Sequence, residues 1–147
     1  MSSFKGLDFE VELPAGCTDE STYAFALPAR ADFRPSVVIK TERLKEPTEL
    51  GRYVDKQLTE IAQMLPAVSL ISNAAENRSA NPARTSVYDW GEPGRRVRQK
   101  QRYIMLKDPA RVVTITGTHL AEYFEQCEKL FDAVFSSFNP TRRGGLE

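Results

Sequence analysis

At 147 residues the chain has the length of one ordinary domain. Its 41% hydrophobic and 27% charged residues are the composition of a packed globular protein, not of a disordered or membrane-embedded one. Twenty Lys and Arg balance twenty Asp and Glu, against the basic excess that nucleic-acid binding needs; two distant cysteines and one histidine argue against a disulfide scaffold or a tetrahedral metal site.

In chain order, Leu7, Phe9, Val11 and Leu13 alternate with Asp8, Glu10 and Glu12, which predicts a strand stopped by Pro14. Tyr23, Phe25 and Leu27 alternate with Thr22, Ala24 and Ala26 and predict a second strand, ended by Pro28 and paired with the first as a hairpin. A third strand is expected through Val37–Ile39 towards Thr41. From Pro47 to Leu65 the period changes: Leu50, Tyr53, Val54, Leu58, Ile61 and Leu65 are spaced by three and four, which predicts an amphipathic helix with Pro47 in its first turn and Pro66 as its stop. A strand at Val68–Ile71, a polar loop SNAAENRSANPA, and a meander of Thr85–Trp90, about Arg96–Leu106 and Arg111–Thr116 follow, with turns at GEPG and KDP. A broad apolar stripe from Leu120 to Phe138 predicts a final helix starting at about His119. Strands that come in runs give an α+β fold, a mainly antiparallel sheet carrying two main helices. Residues 1–138 read as one domain. Residues 139–147 read as a flexible tail, with Leu146-Glu147 resembling a cloning remnant.

The opening segment has no basic n-region followed by an apolar run, and no stretch approaches the ~20 apolar residues that span a bilayer. A cytoplasmic protein that does not itself insert into membrane is expected. No G-x-S-x-G elbow, phosphate-binding loop or dinucleotide fingerprint is present, so no catalytic residue, metal or cofactor is expected. His119 reads as an exposed or half-capping residue at the start of the last helix. Arg96, Arg98, Lys100 and Arg102 fall on one face of a strand and read as a solvated row paired with carboxylates of neighbouring strands. Val97, Gln99, Gln101, Tyr103 and Met105 fall on the other face.

Two amides stand out on apolar faces. Gln57 lies in the helix stripe between Leu50 and Ile61, and Gln101 shares a strand face with Tyr103. Burying an amide without a partner costs about 1–3 kcal/mol, so each must either find an internal hydrogen bond, sit at a stripe edge, or face a ligand groove.

The segments DESTYAFALPA, SVVIKTERL, GRYVDKQLTEIAQMLPAVSL and RQKQRYIMLKDPARVVTITGT resemble the DcrB-related domain of effector-associated (Eag-type) chaperones of type VI secretion, over about Phe9 to Phe138. The resemblance implies a PsbP-like fold with a curved sheet. It also implies a homodimer whose apolar groove shelters the N-terminal transmembrane helices of an effector of PAAR or Rhs type before loading on the secretion spike. It makes Gln57 and Gln101 client-binding residues, with Thr22, Ala24 and Tyr103 beside them in the groove. The alternative is a PsbP-like or DcrB-like envelope or stress protein that escorts no effector.

Overall fold

The computed structural model describes residues 2–5, 8–17, 20–30, 32–76, 80–107 and 110–140. Leu7 of the first expected strand, parts of three expected turns or loops (18–19, 77–79 and 108–109) and the tail residues 141–147 lie outside the described residues. The elements are β1 (Ser2–Lys5), β2 (Glu10–Leu13), β3 (Thr22–Ala26), β4 (Ser36–Arg43), α1 (Leu50–Met64), β5 (Ser69–Ala75), β6 (Ala83–Trp90), β7 (Val97–Leu106), β8 (Arg111–Leu120), a 3-10 turn (Ala121–Tyr123) and α2 (Phe124–Ser136).

Six strands form one antiparallel sheet in the order β3-β4-β8-β7-β6-β5. The long β7 and β8 lie at its centre, which is why both are largely buried along ten residues. Strand β2 does not pair with β3 as the alternation suggested. It pairs with β1, a separate two-stranded ribbon, and β3 pairs with β4 instead. Period-2 alternation identifies a strand but not its neighbour, and the Ser2–Lys5 run is too short and polar to announce itself.

The two helices pack on opposite sides of the sheet. Helix α1 sets Leu50, Tyr53 and Val54 against Tyr103, Met105 and Val112. It begins at Leu50, with Glu49 in the N-cap position, so Pro47 precedes the helix instead of opening it; at the other end the Leu65 N–H closes on the Ile61 carbonyl before Pro66. Helix α2 sets Phe124, Phe131 and Phe135 against Ile104, Leu106, Val113 and Ile115. Gly117 on β8 permits that approach: a Cβ there would lie 2.6 Å from Cγ of Phe131.

Arg98, Lys100 and Arg102 lie on the α2 side. Their carboxylates come only partly from neighbouring strands. Arg98 grips Asp89 of β6 through two bonds of 2.7 and 3.0 Å; Lys100 reaches Asp132 of α2 at 2.7 Å. Arg102 reaches Glu76 at 2.9 Å and the Phe135 carbonyl at 2.7 Å. The row is a set of struts beneath a helix rather than a solvated face. Arg96 precedes β7 and instead ties two turns together through the carbonyls of Ala67 and Gly91. His119 is likewise not at a helix start: it is the ninth residue of β8 and fully buried. The strand runs on four residues past Thr116 because Leu120 still pairs with Val97.

Candidate functional site

The α1 side of the sheet carries the residues singled out from the sequence. Cross-strand register places Ala24, Val38, Thr116, Gln101, Ser86 and Asn73 in one row. The row below holds Thr22, Lys40, Thr114 and Tyr103, and the row above holds Ala26, Ser36, Thr118, Gln99 and Tyr88. Thr22, Ala24, Gln101 and Tyr103 therefore share one face. Helix α1 covers the Tyr103–Met105–Val112 end of it, while all five residues of β3 are exposed. The exposed part of the face is therefore the β3 edge with its small side chains Thr22, Ala24 and Ala26, over which another backbone can approach closely, while Thr116 and Gln101 further in are buried.

Gln101 is 9% exposed and engaged within the chain. Its amide nitrogen donates to Thr116 Oγ1 at 3.2 Å, and its oxygen accepts the hydroxyl of Tyr103. Gln99, one row up, forms a second rung. Its oxygen accepts from the Tyr88 hydroxyl at 2.7 Å and Trp90 Nε1 at 3.1 Å, and its nitrogen donates to Thr118 Oγ1 at 3.0 Å. These two amide–hydroxyl rungs satisfy polar groups that the sheet would otherwise bury at a cost. Sequence reasoning placed Gln99 on this face but singled out only Gln101; the available signal was the strict alternation of β7, which gives both amides one orientation.

Burial governs the phenols. It pushes Tyr88 up to about 12 and raises Tyr103 further above the ordinary tyrosine value. Tyr53 is raised too, first by burial and then by its 2.6 Å hydrogen bond to Glu42. Its ring meets Tyr103 edge-on, with centroids 6.2 Å apart. These hydroxyls remain neutral donors across the physiological range and offer no base.

Gln57 lies one helical turn beyond Tyr53, half-buried, and its amide makes no hydrogen bond among the described residues. Of the two predicted amides, the helix one is uncommitted and the strand one is already in use. At the far edge, Leu70 and Ile71 of β5 are 55% and 49% exposed, and a register shift at this point bends the strand. A separate cleft of about 380 Å³ opens beside the first turn of α1, between Glu49, Glu76 and Arg84; it contains none of the residues predicted from the sequence. Among the described residues no cluster of His, Cys, Asp or Glu fits a metal ion, and no helix is long and apolar enough to cross a membrane.

The family model of DcrB matches residues 10–137. No curated protein matches the sequence. Among solved structures the chain is similar to PA94 from Pseudomonas aeruginosa, a protein of unknown function described as a candidate regulator; identity is 23%, coverage 96% of this chain and 97% of that one, and the TM-score 0.77. It is also similar to cyanobacterial PsbP (CyanoP) from Synechocystis sp. PCC 6803, with 12% identity, coverage of 89% and 98%, and a TM-score of 0.55. LpqN of Mycobacterium tuberculosis, involved in cell envelope biogenesis, matches with 11% identity, coverage of 78% and 80%, and a TM-score of 0.54. At such identities the likeness speaks for the fold: an α+β, PsbP-like architecture with a mainly antiparallel sheet and two helices. With its family match running from β2 to the end of α2, the chain belongs to the DcrB family.

Proposed function

We propose that this protein is a cytoplasmic carrier without catalytic activity. Its α1-side face holds an apolar helix of a client protein, in the manner of the effector-associated chaperones of type VI secretion. The observation that supports the reading is the exposed β3 edge of that face. Ala24 and Ala26 of the exposed β3 edge are small enough for close helix approach, and half-buried Gln57 on α1, the helix packed on the same face, has an amide without an internal partner among the described residues. A spanning helix exposes ~20 apolar residues to water, each large side chain worth about 1.5–3 kcal/mol when buried. A preformed apolar and hydroxyl-lined surface offsets that exposure without a nucleotide. The client is an effector of PAAR or Rhs type carrying N-terminal apolar helices, and two copies of the chain act as a homodimer to enclose them.

Co-expression with such an N-terminal segment tests the reading. A soluble complex is expected from the parent, and its loss from Ala24→Arg, which puts a long charge on the exposed face at little cost to folding. Failure to recover a complex with any adjacent effector segment, or full retention by Ala24→Arg, overturns it. The likeness to LpqN supports a second reading, an envelope protein with no client. Recovery of the native protein from the envelope fraction, without an associated effector, would establish that reading over the first.

A further inference from the structure

His119 is the one buried side chain whose polar atom has no partner among the described residues: Nε2 is enclosed and makes no hydrogen bond. The imidazole is 0% exposed. Its Nδ1 accepts the Leu120 N–H at 2.7 Å, which fixes the neutral tautomer with the proton on Nε2. One face stacks on Phe33, with centroids 5.8 Å apart and planes 14° from parallel. Tyr123 of the 3-10 turn lies 5.9 Å away, and the Arg30 guanidinium sits 6.0 Å over that tyrosine ring.

Phe33 and Arg30 belong to the connection between β3 and β4. That connection is closed by reciprocal backbone bonds between Arg30 and Phe33 of 2.7 and 3.0 Å, and by a third from the Leu27 N–H to the Pro35 carbonyl at 2.8 Å. Asp32 at its tip takes a left-handed conformation at φ 62°. The imidazole is thus the surface on which the loop is seated, and the loop in turn fixes the end of the exposed edge strand β3.

We propose that His119 is an acid-sensitive latch: while neutral it seats the β3–β4 loop on the end of β8, and a proton taken up at Nδ1 unseats that loop. The proton comes from solvent and goes to the atom that now accepts the Leu120 N–H, so that bond must break and two N–H donors must then be satisfied in a buried place. The charges around the ring oppose its protonation. Arg30 faces it from the loop, the Tyr123 ring packs against it from the 3-10 turn, and Arg98, its cross-strand partner on β7, is already held by Asp89. Asp32 and Arg34 of the loop and Glu122 of the 3-10 turn are exposed, and among the described residues no carboxylate bonds the imidazole, whose Nε2 has no partner. Burial and Arg30 both hold the imidazole below its ordinary value of 6.5. A folded-state value below the unfolded one means that the loop is fully seated above the unfolded value and loses that support as pH falls beneath it.

Amide hydrogen exchange on the full chain, corrected for the intrinsic pH dependence, reads the latch directly. Between about pH 7.5 and about pH 5, protection of the bonded amides of Leu27, Arg30 and Phe33 should fall about tenfold relative to β7. In His119→Phe, which keeps a flat ring but cannot titrate, the ratio should stay constant. An identical pH profile in parent and variant overturns the proposal. The proton resonance of the imidazole in the parent gives a second reading that needs no variant. A midpoint below 6.5 that coincides with the exchange step supports the latch, and a midpoint at or above it, or no step in exchange, overturns it. The latch is independent of any client, so its failure leaves the carrier reading untouched.

Discussion

Substituting Gly117 by alanine tests how tightly α2 is set on the sheet. The added Cβ would stand 2.6–2.9 Å from three ring atoms of Phe131, against the ~3.5–4.0 Å of ordinary carbon–carbon contact. The ring must therefore retreat by about 1 Å. It has little room, because Phe131 is fully buried against Phe124, with centroids 5.4 Å apart. The helix cannot simply lift, since Lys100 holds Asp132 and Arg102 holds the Phe135 carbonyl. Overpacking of this kind costs about 1–3 kcal/mol, while replacing glycine within a strand returns about 0.5–1 kcal/mol. A net loss of about 1–2 kcal/mol corresponds to a melting point lower by roughly 2–8 °C for a domain of this size. Urea unfolding followed by Trp90 fluorescence and circular dichroism measures the loss. Phe131→Leu, itself destabilising because it leaves a void, should be partly compensated in the Gly117→Ala background, with a coupling of about 0.5–3 kcal/mol. An alanine variant as stable as the parent, or strictly additive losses in the double variant, would refute the account.

Gln101→Ala removes the acceptor of the buried Tyr103 hydroxyl and should cost about 1–3 kcal/mol in urea unfolding. Gln57→Ala has no internal bond to lose and should change stability by less than about 0.5 kcal/mol while still weakening client recovery. Ala67 adopts φ 52° in the turn after α1; Ala67→Gly should raise stability by about 0.5–1 kcal/mol, seen as a small upward shift of the melting point, with the gain limited by the greater chain entropy of glycine. The Tyr88 hydroxyl is raised from 10.0 to about 12, so the stability it supplies is intact below pH 10 and disappears as pH climbs through that window. The urea midpoint of Tyr88→Phe should be flatter there than that of the parent, in step with the tyrosinate absorbance of the parent.

The parts of the fold that follow from local pattern were legible in the sequence. The three-and-four spacing from Leu50 to Leu65 and the Phe-rich stripe after Leu120 give the helices, and alternation gives most strands. Partnership between strands was not legible. Nothing in Leu7–Leu13 says that β2 folds back on Ser2–Lys5, because pairing is a property of two segments and only one had a strong signal. The polar run SNAA of β5 reads as loop because an edge strand buries little, and Asn73 earns its place through bonds from Arg84 and Ser86 that lie elsewhere in the chain. Of the site residues, the shared face of Thr22, Ala24, Gln101 and Tyr103 needed the register β3-β4-β8-β7 to become visible. The anomaly at Gln101 was readable, but its resolution by Thr116 and Tyr103 was not. His119 misled for a related reason: one imidazole between a strand pattern and a helix pattern carries no sign of which it joins.

The sheet order also has a consequence for synthesis. Strand β4 finds its inner neighbour only when β8 exists, about 70 residues further along the chain, which at ~5–20 residues per second is a wait of several seconds on the ribosome. During that interval Tyr23, Phe25, Val37 and Ile39 have no finished sheet to join. Slowing elongation after α1 should therefore enlarge the fraction captured by nascent-chain chaperones, while a circular permutant that begins at β7, so that β8 is already made when β4 emerges, should need them less.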